Sequence, residues 1–214
     1  MWKPTCSKFH MDKQNGDAPM SSEKAQTDSP PVIDLSKAPG AGEAWGGSKT
    51  RVYAWALCEL LFVTNPIQIS SRLRIAVLRS FGANIGKGVT FRPRTRVKFP
   101  WNLSVGDRSW IGEGVWIHNQ DQMVIGSDVV LSQETFLTNG SHAHRRDMAL
   151  LTRPVTVGDG SWITTRCIVL GGSNIGASCV TTPGSILSGS YAANSVIGSA
   201  PAAVIGERFK TDPR

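Results

Sequence analysis

Cysteine, charge and long apolar runs are all scarce in this chain, and each scarcity removes a class of protein. The four cysteines, Cys6, Cys58, Cys167 and Cys179, stand far apart in 214 residues and form no Cys-x-x-Cys pair. That spacing argues against a zinc ribbon and against a disulfide-stapled secreted fold. Charged residues make up only 18% of the chain, with a net charge of +7. The excess is spread out: residues 1–80 carry 10 Lys/Arg against 7 Asp/Glu, and residues 81–214 carry 13 against 9. No block is basic enough for a nucleic-acid arm, so no nucleic-acid partner is expected, while a modest attraction for phosphate-bearing small molecules or an anionic membrane fits. The longest apolar run, residues 52–63, has 12 residues and contains Glu59. A bilayer span needs about 20. The opening "MWKPTCSKFHMDKQNGDAPM" has no apolar core of a signal peptide, and a cytoplasmic protein is expected.

The remaining composition divides the chain. Apolar residues reach 40%, enough for a packed core. Residues 1–45, rich in Ser, Pro, Lys, Asp and Gly, read as a disordered tail. Residues 46–82 read as two helices broken at Asn65-Pro66. In the first, Val52, Trp55, Ala56, Leu60 and Val63 recur at helical spacing. The second, "IQISSRLRIAVLRSFG", sets Arg72, Arg74 and Arg79 among apolar residues and stops at Gly82. It is either a basic amphipathic surface for a membrane or lipid-linked substrate, or a helical cap on the region that follows.

From Ile85 the chain counts in sixes. Apolar residues fall at Ile85, Phe91, Val97, Val105, Ile111, Ile117, Ile125, Leu131 and Leu137. They resume at Val157, Ile163, Val169, Ile175, Thr181 and Leu187. Glycine often follows the apolar residue, as at Gly86, Gly106, Gly112, Gly126, Gly158 and Gly176, where the backbone needs positive φ or close approach. The fifth residue of each six is small or β-branched, and Cys167 and Cys179 occupy that position as core residues rather than reactive thiols. A six-residue period marks a parallel β-helix of short strands and tight corners, three sides to a coil. About five coils are expected within residues 83–206, followed by a short tail at 207–214.

Three intervals depart from six. Val97 to Val105 and Ile117 to Ile125 are eight, and Leu137 to Val157 is twenty. All three extensions fall at one corner of the coil. The longest, a loop at residues 138–156, carries Gly140-Ser141-His142-Ala143-His144. Extensions stacked on one face of a repeat protein mark a binding face.

The segments "LRSFGANIGKGVTFRPRTRVKFPWNLSVGDRSWIGEGVWI", "TNGSHAHRRDMALLTRPVTVGDGSWI" and "GSAPAAVIGERF" resemble the hexapeptide-repeat acyltransferases, and within them the colanic acid biosynthesis acetyltransferases. The resemblance implies a left-handed β-helix, an exception to the right-handed crossover rule. It also implies a homotrimer with each active site between two neighbouring prisms, acetyl-CoA as donor and a sugar hydroxyl as acceptor. His142 matches the histidine of the family's Gly-Ser-His loop and would be the general base, since a sugar hydroxyl needs its proton removed as it attacks a thioester. No covalent acyl-enzyme is required.

The same resemblance offers Asn119 and His118, at the "IHNQD" corner, and Trp101, at the "PWNL" corner, as acceptor contacts. Trp101 is either a sugar platform or a shield over the corner. The donor side departs from the family pattern: Thr164 and Thr165 replace small residues on the groove, and Thr182-Pro183 lies in "TPGSILSGS", where Gly189 stands in place of a lysine. Arg208 or Lys210 would then anchor the CoA phosphates. Trp110, Trp116 and Trp162, at outward sixth positions, are candidates for the trimer interface. No metal is expected. The rival readings are a metal-dependent hydratase like the γ-class carbonic anhydrases, using His118, His142 and His144, and a non-catalytic β-helix scaffold.

Overall fold

The computed structural model of the chain describes residues 32–39, 45–198 and 202–207. The chain divides into units of residues 1–32 and 33–214, and all that follows concerns the second. Most of the expected tail lies outside the described residues, as do Arg208, Lys210 and the turn at 199–201.

The six-residue period becomes a three-sided prism. Its first face stacks Asn84–Ile85, Leu103–Val105, Met123–Ile125, Val155–Val157, Asn174–Ile175 and Ser190–Tyr191. The second stacks Thr90–Phe91, Trp110–Ile111, Val130–Leu131, Trp162–Ile163, Val180–Thr181 and Ser195–Gly198. The third stacks Arg96–Val97, Trp116–His118, Phe136–Thr138, Ile168–Val169 and Ile186–Leu187. Neighbouring strands on each face are parallel and in register, so Val105 sits over Ile85 and Ile125 over Val105. There are thus five complete coils, as the period predicts, and two sides of a sixth. The sixth is hard to read because Tyr191 follows Leu187 by four residues and interrupts the count. A final strand, Ala203–Glu207, folds back antiparallel on Ser195–Gly198.

The core is the column of side chains the period selects. Phe91, Val97, Ile111, Ile117, Leu131, Leu137, Val157, Ile163 and Val169 are inaccessible to solvent, as are Cys167 and Cys179. The glycines after the apolar residues serve close approach rather than positive φ. A Cβ at Gly126 would lie 2.8 Å from the backbone nitrogen of Asp159 in the coil above. Positive φ falls two residues later instead, at the fourth place of the six. Gly88, Arg94, Arg108, Gly114, Asp128, Glu134, Gly160, Arg166, Gly172, Ser178, Gly184 and Asn194 all have φ between 57° and 85°.

A coil edge with no neighbour leaves backbone groups unpaired, and the N-terminal segment closes that edge. Helix α1 (Lys49–Cys58) starts at Ser48, whose side chain accepts from Arg51 N, and runs into a π-turn over Glu59–Val63. Helix α2 (Ser71–Ser80), capped by Ser70, starts four residues later than the apolar pattern predicts, leaving Ile67 and Ile69 exposed. On the first face, Arg79 Nη2 donates to Ile85 O (2.6 Å) and Gly86 O (2.9 Å). On the second, Arg74 Nη1 donates to Phe91 O (3.3 Å) while Ser71 Oγ accepts from Phe91 N (2.9 Å). On the third, Trp55 Nε1 donates to Val97 O (2.9 Å) and Glu59 Oε1 accepts from Val97 N (2.8 Å). Arg74 is fully buried, and its Nε also donates to Val63 O. Two of the three arginines of α2 therefore belong to a cap and not to a membrane-facing surface.

Candidate functional site

The corner between the third and first faces carries all three long connections. In the first coil it is formed by the 3-10 turn Pro100–Asn102, in the second by residues 119–122, and in the third by the extension after Thr138. That extension is a β-hairpin, not an irregular loop: Gly140–His142 pairs antiparallel with Leu150–Thr152, His142 opposite Leu150. Three-residue strands are too short to be read from the sequence.

Asn139, fully buried, holds the root of the hairpin. Its amide donates to Asp121 O (2.7 Å), its Oδ1 accepts from Asp121 N (3.1 Å), and its backbone oxygen accepts from Arg153 N (2.9 Å). Asn139 was not among the predicted residues, and only its place at the first step of the insertion pointed to it.

His142 is exposed at the end of its strand, and its Nδ1 lies 2.9 Å from the carbonyl oxygen of Met148. A carbonyl can only accept, so Nδ1 carries a proton, and in the neutral imidazole Nε2 is then the nitrogen that keeps its lone pair. Met148 holds this carbonyl from the left-handed region, at φ 58°, a conformation uncommon for a non-glycine residue. His142 lines a cavity of about 520 Å³ between the hairpin and the corner above it, where Leu170, Gly171 and Ser188 lie. His144 also lines this cavity; its backbone N–H donates to His142 O.

The expected acceptor contacts do not join His142. Asn119 is fully buried, donating to Phe99 O (2.7 Å) and accepting from Phe99 N (3.0 Å). Its amide is spent on tying two coils together, so the expected contact with an acceptor does not fit. Trp101 has Phe99 stacked on it (ring centroids 5.0 Å apart) and the Arg51 guanidinium 4.3 Å from its ring centre. Its ring is occupied, which leaves the corner shield and not the sugar platform. His118 lies in register with Thr138, whose hydroxyl is 3.2 Å from its Nδ1, and packs edge-on against Trp116. Burial, then the nearby Lys98 and Arg96 charges, hold its pKa below the usual imidazole value. None of the three lines the His142 cavity.

The described residues expected on the donor side, Thr164, Thr165, Thr182 and Pro183, lie at a different corner, between the second and third faces. Thr164 is buried there, its N–H donating to Thr181 Oγ1 (2.8 Å) and its hydroxyl to Thr181 O (3.0 Å), so it staples two coils and cannot reach a groove. Thr165, with its hydroxyl on Gln133 O (2.9 Å), Thr182 and Pro183 reach the surface of this corner. One side of the prism separates them from the hairpin. Among the described residues no group of three or more His, Cys, Asp or Glu side chains is placed to hold a metal.

A parallel three-sided prism of five full coils and a partial sixth, with a histidine hairpin at one corner, defines the class of the hexapeptide-repeat, left-handed β-helix proteins. No protein-family profile matches the chain. A protein of Escherichia coli K12 assigned by name to colanic acid biosynthesis as an acetyltransferase, WcaF, is 36% identical over 169 residues, 78% of this chain and 92% of that protein. A hexapeptide-repeat acetyltransferase of Vibrio cholerae, solved with acetyl-CoA, superposes with a TM-score of 0.70 at 18% identity, over 80% of this chain and 100% of that one. A maltose O-acetyltransferase of Clostridium difficile gives 0.64 at 21% identity, over 81% and 100%. The chain belongs to the hexapeptide-repeat acetyltransferase family.

Proposed function

We propose that the chain transfers an acetyl group from acetyl-CoA to a hydroxyl of a sugar in an exopolysaccharide or its precursor, with His142 as general base. The observation that carries this reading is the His142–Met148 hydrogen bond. It favours the neutral tautomer whose Nε2 can take a proton, on a residue that lines a cavity. As the acceptor oxygen bonds to the thioester carbonyl carbon, its proton passes to Nε2. The C–S bond then breaks, and the imidazolium returns the proton to the departing thiolate. Base assistance of this kind contributes about 10²–10⁴-fold, and holding both substrates together supplies much of the remainder.

The hairpin corner and the Thr165–Pro183 corner belong to different edges of one prism, so a complete site needs two copies; this supports a homotrimer. The outward rows agree. The second face presents Trp110, Val130, Trp162 and Val180 in register, and the third presents Trp116, Phe136, Ile168 and Ile186. Trp110 is 60% exposed and Trp162 45%, an apolar surface suited to burial against another copy. The donor implies a cytoplasmic site of action.

The outer side of the cap, with exposed Tyr53, Leu57, Leu60, Leu61, Ile67 and Ile69 beside Lys49 and Arg72, supports peripheral attachment to an anionic membrane. No helix among the described residues is long and apolar enough to cross a membrane. Vesicles containing phosphatidylglycerol should carry the chain down on sedimentation, and Leu57→Glu with Leu60→Glu should release it. Equal sedimentation of the double variant would remove the attachment.

Calorimetric titration with acetyl-CoA tests the central reading without knowledge of the acceptor. Saturable binding near one per subunit supports it; no binding overturns it in favour of a scaffold.

A further inference from the structure

Three arginines, Arg145, Arg146 and Arg153, line the His142 cavity, and no Asp or Glu does. Arg146 is partly neutralised, its Nε lying 3.3 Å from the Asp147 carboxylate. That carboxylate also accepts from Ala149 N (3.0 Å), and the backbone contact, ahead of Arg146, lowers its pKa. Among the described residues Arg145 and Arg153 are in no ion pair.

Arg153 is the best positioned of the three. It stands at the root of the hairpin, where its N–H is held by Asn139 O (2.9 Å). Its aliphatic stem lies over Gly172, at which a Cβ would approach the Arg153 Cδ to 3.2 Å. A stem laid against backbone gives up little further freedom when the head binds a ligand, and a planar fork matches an anion of two or more oxygens. Two arginines free of ion pairs beside the histidine suit an acceptor that carries negative charge.

We propose that the acceptor bears an anionic group, a carboxylate or a phosphate, held by Arg153 and Arg145 while its hydroxyl faces His142. The inference rests on the cavity being the acceptor side of the site proposed above.

Its test is binding, which needs no acetyl transfer. Methyl glucoside, methyl glucuronide and glucose 1-phosphate are titrated into the full chain at low salt, and into the Arg153→Gln, Arg145→Gln and double variants. At least one anionic sugar should bind about tenfold more tightly than the neutral one, an advantage that shrinks as salt rises and vanishes in the double variant. A preference for the glucuronide assigns a carboxylate, and one for the phosphate assigns a phosphoryl carrier. Arg153→Lys, which keeps the charge and loses the fork, should retain part of the preference, and an unchanged melting temperature separates lost binding from lost fold. Equal binding of the three sugars, a preference surviving the double substitution, or weakening of acetyl-CoA alone would each overturn the proposal. If the charge preference stands while acetyl-CoA does not bind, the transferase reading falls and the anion site remains.

Discussion

Gly126 and Gly184 occupy turns of the same prism but are glycine for different reasons. Gly126 has no room: a Cβ would press on the backbone of Asp159, which cannot move without shifting a whole coil. Gly184, at φ 75°, has nothing within 4 Å of its missing Cβ. Its equivalents in other turns are Arg, Asp, Glu, Ser and Asn. Gly126→Ala should therefore cost about 1–3 kcal/mol or more, an overpacking penalty. Gly184→Asn should leave the melting temperature within a few degrees. The reverse order would sink the close-approach account. His142 poses the matching test for chemistry. His142→Gln should lower turnover about 10²–10⁴-fold with acetyl-CoA affinity changed no more than a few-fold, because the side chain is exposed and supports no packing. Retained turnover would remove it as the base.

The cap is the element whose energetics are most open to measurement. Glu59 turns its carboxylate inward to accept from Val97 N, and burial raises its pKa despite that hydrogen bond and the Arg96 and Lys98 charges. A carboxyl with a raised folded pKa favours the folded state most when protonated. That contribution is complete below about 4.5, the ordinary value, and is lost as pH rises through the raised one. Glu59→Gln keeps an acceptor for Val97 N and removes the titration. The variant's stability relative to the parent should thus rise with pH above about 4.5 and then level off; a flat difference would mean Glu59 is not desolvated. The prism and its corners were legible in the sequence because each coil repeats the same steric demand six residues on. The cap's function was not. Arg74 looks like a solvated charge until the open coil edge beneath it is located, and a count of sixes says where that edge begins but not what covers it. The hairpin stayed hidden for a related reason, since its three-residue strands carry no period. For the same reason Asn119 looked available, when its amide is the link between two coils.

At the scale of the whole molecule, the separation of the two corners makes a prediction that a monomeric enzyme cannot meet. His142 sits on the edge between the third and first faces, Thr165 and Pro183 on the edge between the second and third. If each site takes its base from one copy and its donor groove from the next, two differently disabled chains can complete one another. His142→Ala removes the base, and Thr165→Trp blocks the donor edge with a side chain too large for it. Each alone should be inactive. When the two are unfolded, mixed in equal amounts and refolded, roughly a quarter of the sites assembled at random in a closed ring would combine an intact histidine with an intact groove. Activity should return to about that fraction of the unmutated level, and only on co-refolding, not on mixing folded proteins. Charges placed in the apolar rows, as in Trp110→Glu with Trp162→Glu, should abolish assembly in sedimentation and activity together. Dissociated chains that still turn over, or co-refolded mixtures that stay silent while each variant binds its remaining substrate, would place the whole site within one chain.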